Sequence, residues 1–387
     1  MRDPGSLSLR NFDWIIVGAG FTGAVLAERI ASQLDKRVLV IDRRDHVAGN
    51  AYDHRGDYDV LIHKYGPHIF HTNSDKVWNY LSTFTQWRPY EHRVLGSIDG
   101  KLAPIPFNLN SLDMLFSPSE AAALSRQLIE TYGEGKNVPI LKMREEGPPG
   151  LKSLATYIYE KVFENYTLKQ WALRPEQLDP GVSARVPVRI SRDDRYFQDI
   201  YQAMPAEGYS AMFARILAHP NISISTSTDY RDVPDKGTRV IFTGPIDEFF
   251  EYRYGALPYR SLRFKFYSRP AERVQPVGTV NYPNERAYTR ITEFRHLTGQ
   301  RASGTVLVEE YPQAYEPGKN EPYYPIPTTD TAEKLKPYQN AARALDGRVW
   351  FAGRLGDYAY YNMDQACGRA LALFEKQIVP FVRGSAA

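Results

Sequence analysis

The chain has 387 residues, 43% of them apolar, more than one small core organises, so two or three interdependent units are expected. Its 48 basic and 45 acidic residues leave a formal charge of +3 with no long Lys/Arg run, which excludes a nucleic-acid arm and makes any anion site local. A single cysteine, Cys367, excludes disulfides and Cys-based metal centres, and no window approaches 18 uninterrupted apolar residues, so a reducing cytoplasm without a membrane span is expected.

"DWIIVGAGFTGAVLAERIASQL" runs from a strand, Trp14 to Val17, through a glycine turn into a helix carrying Ala24, Leu26, Ala27 and Ile30, and "RVLVID" supplies a second buried strand. In this βαβ unit Gly18, Gly20 and Gly23 take GxGxxG positions with Phe21 opening the helix, and Asp42 ends the second strand nineteen residues after Gly23, where a ribose is bound in such folds. Just downstream, Arg44 ahead of Ala48, Gly49 and Asn50 resembles the second phosphate turn of FAD proteins related to the amine oxidases, which favours FAD over NAD, with Arg43 beside it as a further cofactor contact. Arg43 and Arg44 could instead hold the 2′-phosphate of NADP, but Asp42 would repel it.

"KYGPHIFHTN" offers His68 and His71. A metal needs further ligands at suitable spacing and none follows, so the reading is no metal and an imidazole-bearing turn beside a flavin, with a plain packed turn as the alternative. "TNSDKVWNYLSTF", "SPSEAAALSRQLIETYG" and "LKSLATYIYEKVF" read as helices, and "SLRFKFYS", "VGTVNY", "YTRITEFR" and "GTVLVEEYP" as strands. "RVIFTG", ending in Thr243, and "RVWFAGR", carrying Gly353 and Arg354 ahead of a helix from Met363, return the chain to the nucleotide-binding sheet.

The expected class is α/β, with a discontinuous Rossmann-like FAD-binding domain (11–75, 205–250 and 337–380). Into it are inserted a helical domain (110–184, with a mobile substrate loop at about 172–185) and an antiparallel β-sheet domain (92–108, 186–195 and 257–330). Neither a Gly-x-Ser-x-Gly elbow nor a Cys/His pair is present, so a bound flavin is left to do the chemistry.

The chain resembles the bacterial UDP-galactopyranose mutases from Asp13 to about Phe374. The likeness is carried by "VGAGFTGAVLAE", "GPHIFHTN", "YEHRVLGSIDGKLAPIPFNL", "NYTLKQWALRPEQLDP", "RVPVR", "YTRITEFRH", "EPYYPIP" and "GRLGDYAYYNMDQ". It implies an isomerase that interconverts UDP-galactopyranose and UDP-galactofuranose on reduced FAD, through an adduct between flavin N5 and the sugar, for galactofuranose-containing cell-surface glycans. It also implies an unidentified flavin reductant as partner and a homodimer or larger homo-oligomer.

Residue by residue, the resemblance implies a uridine pocket of Phe163, Tyr166 and Trp171, since uracil stacks on aromatic faces. Arg185 and Arg290 match phosphate-clamping arginines, Tyr196, Tyr324 and Tyr360 phosphate-binding hydroxyls, and Arg354 a flavin contact. His71 is expected among the catalytic groups. Two positions depart from the pattern: Asn362 stands where members often carry an acid, and His92 where some carry asparagine, both as substrate contacts. The competing readings are an amine-oxidase-like flavin oxidoreductase and a non-catalytic UDP-sugar binding protein.

Overall fold

Apolar runs that must be buried on both faces build the nucleotide-binding sheet. A computed structural model describes residues 12–179, 186–233 and 238–384. In it five parallel strands stand in the order Ile222–Ser225, Val38–Ile41, Trp14–Val17, Arg239–Phe242, Val349–Phe351. Helices Phe21–Leu34 and Met363–Leu373 share one core with Ile16, Val38, Val40 and Ile241, while Ile15, Leu39, Ile41 and Val240 face the other side. The C-terminal ends of the strands meet the N-terminus of Phe21–Leu34, which is where a parallel sheet binds nucleotide.

A seven-stranded sheet stands beside it, in the order 324–325, 259–269, 305–314, 290–293, 279–281, 94–98, 101–105. Its neighbours are antiparallel except Thr279–Asn281 against Val94–Ile98, which run parallel. The sheet is therefore mixed where the sequence suggested a purely antiparallel one. Hairpin spacing orients strands that follow one another in sequence, but Val94–Ile98 arrives from far upstream, so no tight turn fixes its direction.

The helical part comprises Leu109–Leu115, Pro118–Tyr132, Ile140–Glu146, Pro149–Ile158 and Asn165–Trp171. Ser117 and Glu120 close a reciprocal cap on Pro118–Tyr132. Between the last two helices, Tyr159–Glu164 forms a π-helical turn. Such an insertion shifts the phase of the side chains that follow, and here it precedes Tyr166 and Trp171. A three-stranded antiparallel sheet, Phe70–Thr72, Tyr201–Pro205, Trp87–Pro89, ties the histidine turn to the 196–199 segment. The later half of the expected substrate loop, Pro180, Gly181 and Arg185 included, lies outside the described residues.

Candidate functional site

The N-terminus of Phe21–Leu34 opens on a cleft. Among its lining residues are Gly18, Gly20, Phe21, Asp42, Arg43, Gly49, Asn50, Thr243, Gly353, Arg354 and Met363. Two glycine backbones face each other along its wall: a Cβ on Gly49 would lie 2.9 Å from Gly20 Cα. That bare backbone, beside unpaired N–H groups and the positive end of a helix, suits a diphosphate. Asp42 is pinned as well, its Oδ2 accepting from Ala19 N–H at 2.8 Å and its Oδ1 from Arg44 N–H at 2.9 Å, which holds the first turn against the second. Gly23 does not line the cleft. A Cβ there would fall 1.9 Å from Gly18 O, so Gly23 serves the packing of helix on turn rather than cofactor contact.

Acids surround the two arginines after Asp42. Arg43 pairs with Glu248 at 3.3 Å and Glu321 at 3.4 Å, and Arg44 donates to Asn50 Oδ1 at 3.0 Å and Glu321 at 3.1 Å while lying over the Tyr65 ring. A phosphomonoester would have to displace this network, so the arrangement disfavours NADP. The Rossmann strands, the facing glycines and the second turn fit FAD.

At the far end of the cleft Arg354 donates to Tyr361 O and Tyr323 O and lies 5.3 Å from the Tyr324 ring and 5.6 Å from the Tyr360 ring. Those two rings, 5.3 Å apart, meet Trp171 at 5.9 and 5.7 Å. Beside them Arg290 makes a bidentate pair with Glu310, Nε to Oε1 at 2.6 Å and Nη2 to Oε2 at 3.0 Å. Burial pulls the Arg290 pKa down, but the Glu310 carboxylate outweighs it and raises it well above the usual value, so the guanidinium stays charged. Burial pushes the Tyr166 and Tyr324 hydroxyls up, and both feel Arg290. Tyr196 is also within electrostatic reach of Tyr166. Phe163 instead joins the core of the helical part with Tyr159 and Val162.

Three histidines border this end. His68 lines the cleft, and burial together with His63 and the cations Arg354 and Arg290 lowers its pKa to about 3, keeping it neutral. His71 Nδ1 lies 2.9 Å from Asp199 Oδ2 with its ring stacked 3.6 Å from Phe197. His92 meets Tyr196 edge-on at 5.9 Å. Asn362 caps Met363–Leu373 and lines the cleft. No group of three or more His, Cys, Asp or Glu side chains placed to hold a metal occurs among the described residues, and no helix among them is long and apolar enough to cross a membrane.

The family model described as UDP-galactopyranose mutase matches residues 161–360, and that of an NAD(P)-binding Rossmann-like domain matches 16–84. The probable UDP-galactopyranose mutase of Klebsiella pneumoniae is 36% identical over 370 residues, 94% of each chain. The chain belongs to the UDP-galactopyranose mutase family. The dTDP-fucopyranose mutase of Escherichia coli is 31% identical, covering 92% of this chain and 96% of its own. Among solved structures, a reduced UDP-galactopyranose mutase superposes with TM-score 0.74 at 16% identity over 95% and 94% of the two chains. A putrescine oxidase variant, TM-score 0.55 at 11% identity over 96% and 99%, shares the fold alone.

As a UDP-galactopyranose mutase family member the protein is an FAD-dependent isomerase. Within this mutase site several groups escape a reading of the sequence. Glu310 holds Arg290; Asp199 and Phe197 fix His71; Arg260 donates to Gln170 O at 3.0 Å and Lys169 O at 3.2 Å, tying the C-terminal end of Asn165–Trp171 to the large sheet.

Proposed function

We propose that the protein interconverts UDP-galactopyranose and UDP-galactofuranose on bound, reduced FAD. The observation that carries this reading is Arg354, which borders the cofactor cleft and at the same time touches the Tyr324/Tyr360 pair that packs on Trp171. A flavin ring and a uridine diphosphate sugar could thus meet end to end.

Tyr166 and Trp171 would stack the uracil, a flat ring of low charge. Arg290 uses Nε and Nη2 on Glu310, which turns the remaining guanidinium nitrogen toward the diphosphate, and Arg185 would supply the second charge. When the glycosidic C–O bond breaks, UDP takes the electron pair, and fixed cations are worth most at the moment that charge develops. Tyr196, Tyr324 and Tyr360 add hydroxyl donors without more charge. His71, oriented by Asp199, and His92 would face the sugar. Bound reduced FAD supplies the nucleophilic electron pair for the anomeric centre. The same reading places the protein in the cytoplasm, as a homodimer or larger homo-oligomer served by a separate flavin reductant.

The test is chromatography of UDP-galactofuranose incubated with the FAD-loaded protein, with and without dithionite, in parallel with the furanose form of dTDP-fucose. The reading expects conversion of the UDP-sugar to its pyranose only after reduction. Faster turnover of the dTDP-sugar would reassign the substrate, and absence of both conversions despite bound UDP would overturn the activity.

A further inference from the structure

His92 is 4% exposed and clamped on several sides. Its backbone carbonyl accepts from Tyr196 N–H at 2.7 Å, and its ring lies against Tyr196 and Phe197. Nδ1 is 3.0 Å from the Tyr90 hydroxyl, while Nε2 makes no hydrogen bond to any described residue. The Tyr90 hydroxyl in turn has His92 as its sole hydrogen-bond partner among the described residues. It occupies a niche that exists because residue 278 is glycine: a Cβ there would fall 2.6 Å from the hydroxyl oxygen.

We infer that Tyr90 is a positioning residue which, by donating its hydroxyl proton to His92 Nδ1, fixes the imidazole in the tautomer that carries its proton on Nε2 and so presents an N–H donor to a sugar hydroxyl. Were the proton on Nδ1 instead, Nδ1–H would donate to the Tyr90 oxygen and the proton of the half-buried tyrosine would be left without an acceptor among the described residues, an arrangement proteins disfavour. The charged and titratable groups facing His92 are Arg290, His71 and His296; burial and these neighbours lower its pKa to about 3, so the ring is neutral and has a tautomer to choose. Burial likewise raises the Tyr90 hydroxyl above its usual value and keeps it protonated. Which nitrogen holds the proton decides whether the site offers the sugar a donor or an acceptor.

This rests on the proposed placement of His92 at the sugar, and the test separates the two ideas. In 15N-histidine-labelled holoprotein, His92 is expected to show the Nε2–H tautomer, and Tyr90→Phe to lose it; Gly278→Ala, which keeps the hydroxyl but crowds it, is expected to do the same. Tyr90→Phe should lower kcat/KM for the UDP-sugar roughly three- to tenfold, the share of one neutral hydrogen bond, with UDP affinity held within about twofold. In a His92→Asn background, whose amide donates without a tautomer to set, adding Tyr90→Phe should change kcat/KM less than about twofold. An Nδ1–H tautomer in the unaltered protein, or an equal loss in both backgrounds, overturns the inference. Absence of turnover in every variant would sink the substrate reading while the tautomer signal still judged Tyr90.

Discussion

Arg290 and Glu310 face each other across antiparallel strands, register partners twenty residues apart, and the acid is buried while the arginine stays partly exposed. A carboxylate kept so near the proposed phosphate site would oppose the ligand's charge, so its worth lies in direction: it fixes two guanidinium nitrogens and leaves the third for the ligand. Glu310→Gln keeps the shape and one acceptor but drops the charge. Losing a charge-assisted bond of this kind costs roughly 1.5–3 kcal/mol, about ten- to a hundredfold. The expected outcome is a fall of that order in kcat/KM of the dithionite-reduced protein with the flavin still bound; unchanged kinetics would mean that Arg290 needs no guide. Arg290 was legible because it sits in a motif, and the glycine turns because their constraint is local. Glu310 and Asp199 were not, since each acts on a residue brought near by sheet register or by a strand crossing; Tyr90 lies only two residues from His92, but that spacing does not say that the two side chains turn toward each other. Phe163 was legible as an aromatic beside Tyr166 but not as core, because the π-helical turn alters the helical phase there.

At the scale of elements, the helix Asn165–Trp171 carries the rings proposed to stack on uracil yet is only seven residues long, too short to hold itself. It is held from outside. Lys169 Nζ donates to Tyr282 O at 2.5 Å, Arg286 O at 3.0 Å and Tyr288 O at 3.4 Å, gathering the turn that leads into the Arg290 strand, and Arg260 grips the last carbonyls, where a cation also complements the helix dipole. Lys169→Met should therefore weaken UDP binding about fivefold or more, read by titration, while flavin content stays unchanged, because the cofactor cleft lies on other elements. Equal loss of flavin and UDP would show that the helix supports the whole fold instead. Sequence patterning located the helical insert in general and the long strands; it did not single out this short helix, and it missed the parallel pairing of Thr279–Asn281 with Val94–Ile98, which only tertiary closure decides.

Across the whole molecule, the turn that bears His68 is seated on a buried histidine rather than on apolar packing alone. His63 Nδ1 accepts from His68 N–H at 2.9 Å, so that nitrogen must be unprotonated, and the ring is wedged between Tyr209 from the nucleotide-binding side and Phe294, which opens the short helix after the Arg290–Glu293 strand of the large sheet. Burial lowers its pKa to about 3, against about 6.5 in an unfolded chain. A group depressed in this way contributes stability that is complete above the unfolded value and is lost as pH falls, since the unfolded chain then binds a proton the folded one refuses. Each such proton tilts stability by about 1.4 kcal/mol per pH unit, and His68 and His92 add in the same direction. The melting temperature of the protein should thus hold steady above about pH 7 and drop steeply from pH 6.5 to 5. His63→Asn, whose side-chain oxygen can accept from His68 N–H without titrating, should make that slope shallower by about one proton even if it lowers stability at neutral pH. An unaltered slope would move the acid sensitivity to the other two rings, and with it the point at which the nucleotide-binding sheet and the large sheet first come apart.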